Sequence, residues 1–382
     1  MYTRRSFLIK SSLAGIGGII GTRAIVSGSA AKSRKEKVTL EEAWKIHKKC
    51  LIIDGHNDTP VERMTARNEI PMKWMEKDLS YQTDLQRMRE GGQQYCALMI
   101  ISAGRGTSPD TFRNFAEMSK QFEKNPDDIK QITTSADVKA AVSKGKVGIV
   151  SGIEGGWGPL DGRIENLRKF YDMGLRLSGI SHGEGGSDPK YLQGSASIYK
   201  IVSPQDRKAE HSKSIGLTPF GLEVLKTSNE LHILTDLSHI NDKAYFEVIE
   251  KSSLIPVISH TAVYSLCQHG RCLTDDQIKA LAARGGVIGI TLVPEFIDND
   301  PAKSTLDRFI DHIRYVVDKV GIDYVGIGTD YDGGVPQPII PEVSRLVEIT
   351  RGLMNRGFSE EEIKKIWGGN FLRVIQKVMP GV

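Results

Sequence analysis

The sequence predicts a (β/α)8 (TIM) barrel, and three observations predict it. From residue 40 onward, short apolar runs alternate with amphipathic helical segments. The runs lack polar alternation, as strands buried on both faces of a parallel sheet do. Eight such strand-then-helix units follow one another along the chain, and a closed barrel accommodates that number.

The runs, in order, are Leu51–Asp54, Tyr95–Ser102, Val147–Gly152, Leu175–Ile180, Ile233–Leu237, Pro256–Ser259, Gly286–Leu292 and Tyr324–Gly328. Between them the helical segments include Thr83–Glu90, Ile164–Asp172, Pro219–Glu230, Asp242–Lys251, Asp275–Arg284 and Leu306–Lys319. Capping residues open several of these, as at Thr274-Asp275-Asp276-Gln277 and Thr305. A doubly wound open sheet is the alternative, but no Gly-x-Gly-x-x-Gly follows the first run. Gly183–Ser214 is long, polar and strand-poor, and reads as an insertion above the barrel mouth. Ser359–Val378 is expected to be helical.

The 382 residues carry 51 Lys+Arg and 47 Asp+Glu, a net charge of +4. Arg4, Arg5, Lys10 and Arg23, with no acid among residues 1–31, account for that surplus. The remainder is neutral, which argues against nucleic-acid binding. A hydrophobic share of 39% beside 26% charged residues excludes disorder for the bulk. Four cysteines without a CxxC are too few for a disulfide scaffold. Cys267 and Cys272 are left open as a disulfide or two thiols.

Thr3-Arg4-Arg5-Ser6-Phe7-Leu8, a Gly-rich apolar stretch and small residues at Ser27–Ala31 resemble a twin-arginine export signal. Residues 1–31 are therefore set apart, and 32–382 are taken as a single catalytic domain, periplasmic or otherwise exported. A basic N-terminus of no special role, or a membrane anchor, is the other reading. After the leader no run of 18 uncharged apolar residues occurs, so no stable membrane span is expected.

The chemistry lies directly after the runs. His56-Asn57-Asp58, Glu154, His182, Asp236-Leu237-Ser238-His239, His260 and Asp330 each follow one of them. In a barrel these C-terminal strand ends converge on one face. Two positions apart on an extended chain, His56 and Asp58 point the same way, as a divalent metal such as zinc requires. Glu154, His239 and His260 turn that pair into two imidazole/carboxylate clusters, with Glu154 able to span two ions about 3.5–4 Å apart. The competing reading is five polar groups satisfied by one another.

Ile53-Asp54-Gly55-His56-Asn57-Asp58, Ser151-Gly152-Ile153-Glu154-Gly155-Gly156, Leu234-Thr235-Asp236-Leu237-Ser238-His239, Pro256-Val257-Ile258-Ser259-His260 and Val325-Gly326-Ile327-Gly328-Thr329-Asp330-Tyr331-Asp332-Gly333 resemble, in order, the membrane (renal) dipeptidase family of zinc peptidases. Gly216-Leu217-Thr218-Pro219-Phe220-Gly221 and Gly368-Gly369-Asn370-Phe371-Leu372-Arg373 are similar too, and the resemblance covers roughly residues 40–378. It implies a metal-dependent hydrolase barrel with two Zn2+ per chain. His56, Asp58 and Glu154 would hold one ion, and Glu154, His239 and His260 the other. The resemblance also implies that His182 polarises the scissile carbonyl, Arg271 binds the substrate carboxylate and Asp330 transfers the proton. The substrate would be a dipeptide, with tolerance of a D-residue at its C-terminus.

The residue chemistry agrees. Two zinc ions make hydroxide available near pH 7, a carboxylate suits base-then-acid proton transfer, and a guanidinium fork suits a terminal carboxylate. Alternatives are another binuclear amidohydrolase-type deacylase, which usually carries His-x-His after strand one, or a non-catalytic peptide-binding barrel. A homodimer is left open. Plainer roles stand beside several assignments: a helix N-cap for Asp330, a surface ion pair for Arg271, a loop hydrogen bond for His182. Asp54 and Asp236 either orient ligands or are simply structural, His269 reads as a solvated loop residue, and His47 and His312 as structural. Gly183-Glu184-Gly185-Gly186 departs from the Asn-containing stretch of the family, which bears on side-chain specificity.

Overall fold

The structure, a computed structural model, describes residues 37–62, 77, 79–92, 94–104, 106–196, 203–334 and 337–379. Each apolar run overlaps a strand: β1 Ile52–Asn57, β2 Tyr95–Ala103, β4 Val147–Glu154, β5 Leu175–Gly179, β6 Leu234–Asp236, β7 Ile258–Thr261, β8 Ile288–Ile290 and β9 Val325–Ile327. The ladder runs β6-β5-β4-β2-β1-β9-β8-β7, and its pairings are parallel. A parallel bridge between Asp236 and Val257 joins the two ends, so eight strands make a nearly closed (β/α)8 barrel. One strand is additional to the expected eight. β3, Ile129–Gln131, pairs with β4 outside the ring. Three residues are too few to show a hydrophobic period.

The missing alternation has a direct cause. Ile53, Leu98, Ile100, Val150, Leu177 and Leu234 share one buried cluster, and their neighbours Ile52, Ala97, Met99 and Ile149 belong to another that includes helix residues such as Phe115, Phe170 and Phe309. Successive side chains point to opposite faces, and both faces are covered. Phe371, Val374 and Ile375 pack into the first cluster. They belong to the helix Asn370–Val378, which continues Glu360–Lys364 through a π-helical stretch at Lys365–Gly369. A Cβ on Gly368 would stand 2.3 Å from the Leu51 carbonyl oxygen, so this segment presses on the N-terminal end of β1. The opposite, C-terminal strand ends are left for the site.

Local signals set the helix starts. Thr274 and Gln277 form a reciprocal capping box, and Thr305 accepts from the Arg308 backbone N–H. The polar insertion is strand-poor, but it carries the helix Pro204–Lys213. Arg207 of that helix is buried and donates to both Asp242 carboxylate oxygens (2.7 and 3.2 Å), to Gln277 Oε1 (3.0 Å) and to the Cys272 carbonyl (2.8 Å). The insertion is thereby bolted beside Arg271.

The proposed leader, residues 1–31, lies outside the described residues. Among the described residues no helix is long and apolar enough to cross a membrane.

Candidate active site

Two buried aspartates organise the strand ends. Asp54 on β1 accepts from the Thr329 backbone N–H and hydroxyl, both at 2.8 Å, and from the Tyr95 hydroxyl at 3.1 Å. Asp236 on β6 accepts from the backbone N–H groups of Ser238 (3.0 Å) and Ser259 (2.9 Å). The turns they hold present His239 (φ 60°) and Asp330 (φ 61°), both in the left-handed region that non-glycine residues seldom occupy. Asp330 follows β9 in an irregular segment and opens no helix.

The side chains expected at the site meet at one carboxylate. Glu154 Oε1, at the end of β4, lies 3.4 Å from His56 Nε2, 2.8 Å from His239 Nε2 and 3.5 Å from His260 Nε2. His56 Nε2 is 3.2 Å from Asp58 Oδ2, and His239 Nε2 is 2.8 Å from His260 Nε2. All five residues are buried. The Asp330 carboxyl faces the same centre, 3.9 Å from His56 Nε2 and 4.0 Å from His260 Nε2. The other Glu154 oxygen lies 3.4 Å from Nε2 of His182, which is one-third exposed at the mouth. Arg271 reaches inward from the loop after β7, and its Nη2 is 2.7 Å from His260 Nε2. It is buried and pairs with no carboxylate among the described residues, so it is no surface ion pair.

Burial and mutual charge displace these groups far from their ordinary values. Burial alone would lower the His56 imidazole, but the carboxylates of Asp58, Glu154 and Asp330 carry it well above its ordinary value. Burial would raise Glu154, yet the imidazoles of His182, His56 and His239 hold it well below the usual carboxylate range. Burial, with Arg271, pushes His239 far down, and burial with His56 and Arg271 does the same to His260. Burial raises Asp330 well above its usual value, and the carboxylates of Asp58 and Glu154 add to this. Among the described residues, His56 Nε2 and Glu154 Oε1 are buried and, despite their close charged neighbours, have no well-aligned hydrogen-bond partner. Orphaned polar atoms of this kind are costly in a protein interior. Three groups of imidazoles and carboxylates lie close enough together to form donor sets that fit divalent metal ions: His56, Asp58 and Glu154; Glu154, His182 and His239; and His56, Asp236 and His260.

Other residues complete the surroundings of the site, and one of them corrects an expectation. His269 is not a solvated loop residue: its Nδ1 accepts the Arg271 backbone N–H at 3.1 Å, and burial lowers it to about 4. Glu184 turns back beneath its loop and accepts the His182 N–H at 2.8 Å. Trp157 stacks on Tyr191 of the insertion, and the Arg207 guanidinium lies over Tyr264. Cys267 and Cys272 are free, buried thiols that donate to the carbonyls of Glu295 and Phe296. Ser259 had no role in the sequence reading beyond its place before His260, yet its hydroxyl touches His56, His260 and Asp236.

A family model described as membrane dipeptidase (peptidase family M19) matches residues 40–380. The chain belongs to this family and is accordingly a metal-dependent peptide hydrolase, a dipeptidase. Among curated relatives, the dipeptidase tcpJ of Claviceps purpurea is 26% identical over 341 residues, 85% of this chain and 76% of that protein. A Schizosaccharomyces pombe protein described as an uncharacterized dipeptidase is 28% identical over 366 residues, 90% of this chain and 84% of that one. Two solved structures share the fold. One is a metallo peptidase from Rhodobacter sphaeroides liganded with a phosphinate mimic of the dipeptide L-Ala-D-Ala (TM-score 0.76, 21% identity, 86% of this chain and 99% of that one). The other is a probable dipeptidase, PvdM, from Pseudomonas aeruginosa (TM-score 0.74, 22% identity, 89% and 98%).

Proposed function

We propose that this chain hydrolyses dipeptides at a two-zinc centre, accepting a D-residue at the C-terminal position. The observation that carries the reading is the convergence of three imidazole Nε2 atoms within 3.5 Å of Glu154 Oε1. His56, Asp58 and Glu154 would hold one ion, and Glu154, His239 and His260 the other. When bound, the ions supply an activated water near neutral pH and stabilise negative charge developing on the carbonyl oxygen. The liganded Rhodobacter structure, of the same fold, supports a dipeptide of the L-Ala-D-Ala type as substrate.

The remaining steps belong to side chains. Arg271 binds the terminal carboxylate of the substrate through its guanidinium fork. His182, at the open edge of the site, donates to the scissile carbonyl oxygen as charge develops there. Asp330 accepts a proton from the attacking water and returns it to the leaving amine nitrogen. We also assign residues 1–31 to export through the twin-arginine route; replacing Arg4 and Arg5 by Lys should retain the chain in the cytoplasm.

The experiment is release of free amino acids from L-Ala-D-Ala and L-Ala-L-Ala by the purified, zinc-loaded chain. Hydrolysis that a chelator abolishes and Zn2+ restores is the expected result. No hydrolysis of either peptide with two ions bound would overturn the substrate assignment.

A further inference from the structure

We infer that the Ser259 hydroxyl is a positioning group shared by both ion sites, presetting one imidazole of each. The inference rests on the ligand sets proposed above, in which His56 serves one ion and His260 the other.

The geometry leaves little choice. Ser259 Oγ is 3.1 Å from His56 Nδ1 and 2.9 Å from His260 Nδ1. It is also 2.5 Å from Asp236 Oδ2. A hydroxyl has one hydrogen and two lone pairs, and an ionised carboxylate can only accept. The Ser259 hydrogen therefore goes to Asp236 and its oxygen accepts from the two rings, while Ser238 Oγ, 3.1 Å away, gives its own hydrogen to the other Asp236 oxygen. Both imidazoles must therefore carry a hydrogen on Nδ1, so that in the neutral, ion-binding form of each ring Nε2 is the lone-pair donor facing Glu154. Arg271 gives an independent check at His260. Its guanidinium only donates, so His260 Nε2, 2.7 Å away, must be the acceptor.

The hub is rigid and dry. Ser259, His56, His260 and Asp236 are each no more than 1% exposed, so the hydroxyl meets the rings away from bulk solvent. The other Asp236 oxygen is taken by Ser259 N (2.9 Å), Ser238 N (3.0 Å) and Ser238 Oγ (2.9 Å). A Cβ on Gly55, Gly289 or Gly328 would come within 2.5, 2.0 or 1.8 Å of the Ser259 carbonyl oxygen. Backbone from three other segments thus closes around this residue. One hydroxyl thereby couples two metal sites, because losing it frees the ring of a ligand in each.

The test is zinc affinity, read by competition with a chromogenic chelator for the unaltered chain and for Ser259→Ala. Loss of an orienting partner of this kind weakens binding by about 10–100-fold, and that loss is expected for both ions. Unchanged affinity, or a loss confined to one ion, overturns the inference. A second measurement needs no variant. In the zinc-loaded chain, 15N spectra of labelled histidine should show His56 and His260 with hydrogen on Nδ1, protected from exchange. Hydrogen on Nε2, or metal at Nδ1, in either ring overturns it. Neither measurement involves a peptide, so a failure of dipeptide hydrolysis leaves both readable. Failure of the unaltered chain to bind two ions would instead sink the ligand sets themselves.

Discussion

Thr329 gives both its backbone N–H and its hydroxyl to the Asp54 carboxylate, each at 2.8 Å, across 275 residues of sequence. This clamp fastens the end of β9 to β1 and aims the next residue, Asp330, at His56 and His260. Asp330→Asn keeps the shape but removes the proton acceptor. Turnover should fall by about 10²–10⁴-fold while zinc content, measured by elemental analysis, stays at the level of the unaltered chain. Near-normal turnover would remove Asp330 from the proton-transfer step.

Arg271 carries the second prediction. It is buried, lacks a carboxylate partner among the described residues, and its loop is held by Thr261 Oγ1 donating to the Arg271 carbonyl at 2.8 Å. Arg271→Ala should raise KM by about 10–100-fold, the worth of a charge-assisted hydrogen bond, with a smaller change in kcat. Amidating the substrate's C-terminus should cost the unaltered enzyme a similar factor and the variant little. An unchanged KM would take Arg271 out of the substrate site.

Metal removal should destabilise the fold. An ion that binds only the folded chain, present at a hundredfold excess over its Kd, adds about 2.7 kcal/mol. Stripping zinc with a chelator should therefore lower Tm by several degrees, and adding Zn2+ back should restore it. Identical melting curves with and without chelator would contradict a metal site built into the barrel mouth.

Acid sensitivity is expected from two histidines far from the chemistry. His312 Nδ1 accepts the Val263 N–H at 2.9 Å, and its Nε2 donates to the Ile297 carbonyl at 2.8 Å. His47 lies 2.6 Å from the Gly91 carbonyl and 2.7 Å from Thr350 Oγ1, which accepts from Trp367 Nε1. Burial lowers each ring to about 4, against the pull of its carbonyl partner. The unfolded chain takes up these protons as pH falls through about 6.5, whereas the folded chain takes them up only near 4. Stability is therefore lost as pH falls across that window, by about 3 kcal/mol per ring when complete. Denaturant midpoints of the metal-free chain at pH 7 and pH 4.5 measure the loss. His312→Ala should lower stability at pH 7 and flatten its pH dependence; an equally steep loss in the variant would exclude His312 as a source.

Much of the fold was legible because its signals are local. Thr274 and Thr305 announce helices within four residues, and the eight runs announce strands by the absence of polar alternation. β3 was not legible, since three residues cannot show a period, and neither was the helix Pro204–Lys213 in a polar stretch. At the candidate site, His56, Asp58, Glu154, His239, His260 and Asp330 drew attention by following apolar runs. Ser259 did not, because a serine beside a histidine is unremarkable until the chain brings His56 to the same hydroxyl. His269 looked solvated for a similar reason: its contact with Phe296 and the Arg271 N–H comes from how the loop closes.

The sequence by itself determined the eight barrel strands, where helices such as those after Thr274 and Thr305 begin, and which chemical groups stand at the strand ends, because each depends on neighbours a few positions away. Only the tertiary structure decided that imidazoles from β1, β7 and the turn after β6 share one carboxylate oxygen from β4, and that two of them share one serine hydroxyl. Ladder register and the Asp236–Val257 closure set those distances, and both are contacts between residues remote in sequence, whose partners no local pattern names.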